Sequence, residues 1–120
     1  MAEPNPEELV LLGIKSYEKQ DFSKARKYFE KACDLNNGGG CNGLGVLYKD
    51  GQEVEKNLTK ATYLYSKACD LNDGDGCGAL GGLYYNGDGV KQDSKKAVVL
   101  FEKACKLGYK KACEMLKELR

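Results

Sequence analysis

Six cysteines set the frame of this 120-residue chain: Cys33, Cys41, Cys69, Cys77, Cys105 and Cys113. The members of each pair stand eight residues apart, and successive pairs stand 36 apart. A fixed period of that length marks a repeat array, not a single irregular core. Residues 33–68 and 69–104 are identical at 18 of 36 positions. The shared positions include Leu44/Leu80, Gly45/Gly81, Tyr48/Tyr84, Gly51/Gly87, Val54/Val90, Ala61/Ala97 and Ala68/Ala104. The frame runs on upstream through Ala25, Tyr28, Phe29 and Ala32, and downstream through Leu116 and Leu119.

Each unit reads as two helices. Ala61, Leu64, Tyr65 and Ala68 fall at i, i+3, i+4 and i+7, as do Ala97, Leu100, Phe101 and Ala104. That spacing is one apolar stripe on an amphipathic helix. Asp21, Asn57 and Asp93 precede the stripes at N-cap positions. The other helix carries Cys41, Leu44, Gly45 and Tyr48, repeated as Cys77, Leu80, Gly81 and Tyr84. Glycine inside a helix costs roughly 1 kcal/mol relative to Ala. Its recurrence at Gly13, Gly45 and Gly81 therefore predicts a side chain from another helix packed on that backbone. Tyr48 and Tyr84 are read as packing residues. The loops at 50–54 and 86–90 carry one apolar plug each, Val54 and Val90. The first helix opens on Asn5-Pro6-Glu7-Glu8, with a cap at Asn5 and Pro at the first helical position. The expectation is seven helices in one repeat domain, 1–120. A capping hairpin spans 5–36, repeats span 37–72 and 73–108, and a capping helix spans 109–120. Polar terminal elements close such an array against water.

Ala-x-x-Leu-(Tyr/Phe)-x-Lys-Ala followed by Leu-Gly-x-Leu-Tyr-x-x-Gly is similar to the Sel1-like repeat, a relative of the tetratricopeptide repeat. Lys31-Ala32-Cys33-Asp34-Leu35-Asn36 and Lys67-Ala68-Cys69-Asp70-Leu71-Asn72 each lead into a Gly-rich stretch and a second Cys. With that addition the chain resembles the Helicobacter cysteine-rich proteins, from Glu7 to Leu119. The resemblance implies an all-α, right-handed α/α solenoid with one disulfide per repeat, in a secreted or periplasmic setting. It also implies penicillin binding with weak β-lactamase activity, and a link to host immune responses. Two departures stand out. Glu53 occupies the place of Gly89, which predicts a reshaped loop. Met1-Ala2-Glu3-Pro4 lacks the apolar stretch of an export signal, so the expectation is a mature form with an added Met or a short engineered array.

Six cysteines allow 15 pairings. Repeat symmetry favours Cys33–Cys41, Cys69–Cys77 and Cys105–Cys113, each across a helix–helix corner. Six free, buried thiols are one alternative. A zinc site is another, although neither Cys-x-x-Cys nor His is present.

Composition limits the chemistry. With no His there is no Ser-His-Asp triad, no Cys-His dyad and no His-ligated metal. Nineteen basic against 18 acidic side chains argue against a nucleic-acid binder or a polybasic membrane anchor. No apolar run approaches the ~18 residues of a membrane span. No cofactor and no metal are expected. Ser16-Tyr17-Glu18-Lys19 matches Ser-x-x-Lys, in which an amine activates a hydroxyl, but Ser-Asp-Asn and Lys-Thr-Gly are absent. Ser16 and Lys19 are thus a weak catalytic candidate. The glycine-rich stretches 38–40 and 74–76 lack the ligand pattern of a calcium loop and the Gly-Lys-Ser/Thr of a phosphate loop. The whole stretches, Asn36-Asn37-Gly38-Gly39-Gly40 and Asn72-Asp73-Gly74-Asp75-Gly76, are read as turns in which Gly, Asn and Asp take positive φ.

By analogy with tetratricopeptide arrays, the first helix of each hairpin lines the concave face. The stripe expected there is Val10, Ile14, Tyr17, then Asn42, Val46, Lys49, then Gly78, Gly82, Tyr85. Variable residues over a fixed scaffold are where such arrays hold ligands. The leading expectation is a monomeric scaffold taking a peptide, protein segment or cell-wall fragment in that groove. Weak β-lactam hydrolysis and a designed scaffold without natural ligand are the alternatives.

Overall fold

The computed structural model describes residues 4–119. Residues 1–3, on which the reading of a missing export signal turns, and residue 120 lie outside the described residues. Among the described residues there are seven helices and no strand. They are α1 (Pro6–Glu18), α2 (Phe22–Asp34), α3 (Gly38–Asp50), α4 (Leu58–Asp70), α5 (Gly74–Asn86), α6 (Ser94–Lys106) and α7 (Lys110–Leu119). Three hairpins and a closing helix stack into an α/α solenoid 51 Å long and 28 Å by 22 Å across. The odd helices touch one another, α1 with α3 and α3 with α5. That places them on the inner side of the stack, with the even helices outside.

The caps follow the sequence. Asn5, Asp21, Asn57 and Asp93 accept through their side chains from the backbone N–H of Glu8 (2.8 Å), Lys24 (3.2 Å), Lys60 (2.9 Å) and Lys96 (3.0 Å). Each cap supplies an acceptor to an N–H that the helix cannot satisfy itself. The stripes Ala25/Phe29/Ala32, Ala61/Leu64/Tyr65/Ala68 and Ala97/Phe101/Ala104 are buried. Tyr48 and Tyr84 pack half-buried against this core, each under a lysine ammonium (Lys60 and Lys96) 4.5 Å from the ring centre. Lys103 reaches back from α6 to donate to the Cys69 carbonyl at 3.0 Å, tying one unit to the one before.

All six cysteines are paired, as Cys33–Cys41, Cys69–Cys77 and Cys105–Cys113, with Cα atoms 4.5, 4.5 and 4.8 Å apart. The bridges decide against free thiols and against zinc. Each joins the end of an even helix to the start of the next odd one.

Two sequence expectations are corrected. The glycines at 38–40 and 74–76 are not turn residues but the first turns of α3 and α5. The turn reading holds at the head of each stretch, where Asn36 (62°) and Asn72 (64°) take the expected positive φ. The glycines answer to space: a Cβ on Gly40 or Gly76 would stand 2.5 Å from the Cβ of Ala32 or Ala68. The loop after α3 is also not reshaped. Glu53 adopts φ 67°, close to the 71° of Gly89, so the same backbone is kept with a non-glycine residue in the left-handed region.

Asp73 caps α5 by accepting from Gly76 N at 3.0 Å, as Asn37 caps α3. Burial raises the Asp73 pKa above its usual value. The Gly76 N–H works against that rise, and the nearby Asp75 adds to it. A raised carboxyl pKa means that the folded state holds the proton more tightly than the unfolded one. Its contribution is fully present below the ordinary Asp range and is lost as pH rises through the folded pKa. Asn is as good a cap as Asp. Asp73→Asn should therefore flatten the fall in stability on the alkaline side of the ordinary Asp range without loosening the helix. Urea midpoints from pH 3 to 7 check this. An unchanged pH profile would show that Asp73 does not set it.

Candidate functional site

The inner face is shaped by what the odd helices lack. A Cβ on Gly13 would stand 2.5 Å from the Phe29 ring, on Gly45 2.7 Å from Tyr65, and on Gly81 2.8 Å from Phe101. In each hairpin an aromatic ring of the even helix thus passes over a glycine of its odd partner. This is the packing predicted for those three glycines. Of the further glycines on the inner side, Gly43 leaves the face of the Phe29 ring uncovered, Gly78 lies against the Tyr109 ring, and Gly82 stands open.

Two depressions result. The first, about 150 Å³, is lined by Ile14, Tyr17, Phe29, Gly43 and Val46, and its surface is almost wholly carbon. The second, about 300 Å³, runs over α5 between α3 and α7. Asn42, Val46 and Lys49 of α3 form one wall. Gly78, Ala79 and Gly82 form the bed, and Lys111, Ala112 and Met115 of α7 the other wall. Tyr65, Phe101, Tyr109 and Asp75 complete it. Val46 belongs to both depressions, so they are neighbouring parts of one groove.

The expected stripe is therefore mostly brought together: Ile14, Tyr17, Asn42, Val46, Lys49, Gly78 and Gly82 line the groove. Val10 does not line either depression; its Cγ1 lies 3.5 Å from where a Cβ on Gly39 would be. Tyr85 stands to one side, its ring centre 6.5 Å from that of Phe101. Sequence reasoning missed Phe29, Tyr65 and Phe101, which come from the even helices, and Tyr109, Lys111 and Met115 at the far end. The recurring glycines were the available signal for the even-helix rings. Tyr109 stands where Asn37 and Asp73 cap the earlier helices, and its ring instead covers Gly78.

Ser16 and Lys19 are close in sequence but differently placed. Ser16 is 7 % exposed, and its hydroxyl donates to the Leu12 carbonyl of its own helix at 2.8 Å. Lys19 caps the exposed end of α1. Neither lines the groove.

Gly82 offers a direct probe. Nothing lies within 4 Å of an added Cβ there, and the residue is in the interior of α5. Gly82→Ala should stabilise by up to ~1 kcal/mol, the helix-propensity difference. Gly81→Ala, facing the Phe101 ring, should destabilise. A denaturation midpoint that falls for Gly82→Ala would show that the bed of the groove is not open.

Comparison with known proteins gives three matches to the Sel1 repeat family, at residues 10–37, 39–73 and 74–109. Among curated proteins, "Putative beta-lactamase HcpC" of Helicobacter pylori strain J99 is 66% identical over 58 residues, 48% of this chain and 20% of that protein. "Beta-lactamase HcpA" of the same strain is 55% identical over 58 residues, 48% of this chain and 23% of that protein. The chain thus spans about a fifth of the length of these curated relatives. Among solved structures, Helicobacter pylori cysteine rich protein B superposes with a TM-score of 0.75 at 41% identity, over 92% of this chain and 94% of that one. A Sel1 repeat protein from Oxalobacter formigenes gives a TM-score of 0.84 at 27% identity, over 93% of this chain and 47% of that one.

Proposed function

The chain belongs to the Sel1 repeat family, and from that premise we propose that it is an extracytoplasmic, disulfide-stapled scaffold that binds an extended peptide or protein segment in its inner groove. The observation that carries the reading is the groove itself. Glycine strips side chains from its bed, aromatic rings form its floor, and Asn42, Lys49, Asp75 and Lys111 supply polar groups around it. A few polar groups around an apolar floor fix orientation while burial supplies affinity. Three disulfides support a place outside the reducing cytoplasm. Binding is non-covalent in this reading, since no Ser, Thr or Cys is found among the described residues that line the groove.

The test is an array of random peptides probed with the oxidised protein and with Gly82→Leu. Nothing lies within 4 Å of a Cβ at Gly82, so a leucine there starts from open space and projects over the bed. Peptides that bind the native chain and lose at least tenfold with Gly82→Leu, at an undiminished melting temperature, are the expected result. Binding untouched by the leucine would place the ligand elsewhere. The names of the Helicobacter relatives raise β-lactam chemistry as the second reading. The buried, hydrogen-bonded Ser16 hydroxyl weighs against it. Intact mass after benzylpenicillin should show no adduct; a stoichiometric acyl-protein would reverse that judgement.

A further inference from the structure

The chain carries one Asn-x-Ser/Thr segment, Asn57-Leu58-Thr59, the acceptor pattern for an N-linked oligosaccharide. Glu55, two places ahead, completes the longer form of the pattern that begins on an acidic residue. The other units lack it: their matching segments are Asp21-Phe22-Ser23 and Asp93-Ser94-Lys95. Asn and Asp cap a helix equally well, so helix formation does not call for an amide here. Three residues alone are a weak signal, but their setting is specific. Asn57 and Thr59 are exposed, and Asn57 holds an extended backbone at the end of the loop between α3 and α4. The cap on α4 uses the side-chain carbonyl, whose Oδ1 accepts from Lys60 N at 2.9 Å. Nδ2, the atom that takes the sugar, is left free. Substitution at Nδ2 keeps the carbonyl, so a modified Asn57 still caps α4.

Beside this segment the outer side of the array changes character. Thr59, Thr62, Tyr63 and Ser66 of α4 line a cleft of about 460 Å³, with Tyr84 of α5 and Leu100 of α6. In the first unit the same four places hold Ser23, Arg26, Lys27 and Glu30. There Arg26 pairs with Glu30 at 3.1 Å and reaches Glu53 at 4.0 Å, so long charged side chains occupy that side. The second unit replaces them with hydroxyl groups and leaves the Tyr63 ring 66 % exposed. A sugar ring sets its C–H face on an aromatic ring and its edge against hydrogen-bonding groups. The hydroxyls, with Asp70 and Lys96 in the same lining, supply both donors and acceptors for that edge.

We propose that Asn57 carries an N-linked oligosaccharide whose first sugars rest in the cleft between α4 and α6. The donor is a polyprenyl-pyrophosphate oligosaccharide, brought to the chain by a membrane transferase. Asn57 Nδ2 attacks the anomeric carbon, and the N–C bond forms as the C–O bond to pyrophosphate breaks. The amide proton passes to a base of the transferase, and the polyprenyl pyrophosphate leaves with the bonding electrons. The proposal rests on the extracytoplasmic placing above. It keeps the inner groove clear, since Asn57 and Thr59 line neither of its depressions.

The experiment begins with the intact mass and proteolytic map of the chain from its native source, which should show one oligosaccharide on Asn57. The purified oxidised chain, mixed with a bacterial oligosaccharyltransferase and a polyprenyl-pyrophosphate oligosaccharide, should also gain one oligosaccharide. Asn57→Asp, which keeps the cap, and Thr59→Ala should each cut that transfer at least tenfold, and Thr59→Ser should retain it. In 15N spectra the glycosylated chain should differ from the bare one at Thr62, Tyr63 and Ser66. An unmodified chain recovered oxidised from outside the cytoplasm overturns this proposal and leaves the extracytoplasmic placing standing. An unmodified chain recovered reduced from the cytoplasm overturns both. Transfer that survives Asn57→Asp marks a different acceptor and overturns the proposal as well. Amide changes confined to residues 56–60 would overturn the role of the cleft.

Discussion

Reduction of the three disulfides should unfold this protein at 37 °C. Each bridge joins residues eight apart, closing a loop of about nine residues. In the chain-entropy account such a loop contributes about 2.6 kcal/mol by restricting the unfolded chain. Three bridges together amount to roughly 8 kcal/mol, against the ~5–15 kcal/mol by which a domain of this kind is stable at all. The array has little else to fall back on. Each unit packs only on its neighbours, and much of α3 and α5 is glycine, a poor helix former. Excess dithiothreitol followed by far-UV circular dichroism should therefore show loss of the helical signal. Replacing Cys69 and Cys77 together by alanine, with the other bridges intact, should lower stability by about 2–3 kcal/mol. A fully reduced chain that melts as cooperatively as the oxidised one would remove the bridges from the account of stability.

The second large effect belongs to Gly40. A Cβ there would stand 2.5 Å from the Ala32 Cβ and 2.7 Å from the Cys33 backbone nitrogen. Cys33 is bridged to Cys41, the next residue, so α2 and α3 cannot part to make room. Overpacking costs typically 1–3 kcal/mol, and contact with backbone rather than a movable side chain puts Gly40→Ala at the upper end, about 3 kcal/mol. Gly39 is the control. A Cβ there meets the Asn37 side chain at 3.1 Å and Val10 at 3.5 Å, so Gly39→Ala should change the denaturation midpoint far less. Equal midpoints for the two variants would show that the close helix approach at the corner does not limit the sequence.

The periodic features were the legible ones. Helix stripes, caps and cysteine pairs each repeat every 36 residues, and each acts locally, so sequence spacing carries them. The inner stripe was mostly legible too, because Asn42, Val46 and Lys49 lie on one helix face. The floor was not. Tyr65 and Phe101 belong to the outer helices and reach the groove only because Gly45 and Gly81 let their rings through. Spacing within one helix cannot report an approach between two. The glycine stretches 38–40 and 74–76 misled for a related reason. Glycine signals a turn when φ is positive and a close contact when it is not, and only the tertiary approach of Ala32 and Ala68 separates the two. Glu53 misled in the opposite sense: the loop kept its backbone and carried the strain of a non-glycine residue.

The most direct test of the central claim is residue-resolved. The 15N-labelled, oxidised protein would be titrated with the strongest peptide from the array, and backbone amide shifts followed. The account predicts that the largest changes fall on α3, α5 and α7, around Asn42, Val46, Gly78, Gly82 and Lys111. Changes centred instead on the outer surface of α4 and α6, around Thr59, Tyr63 and Leu100, would contradict it.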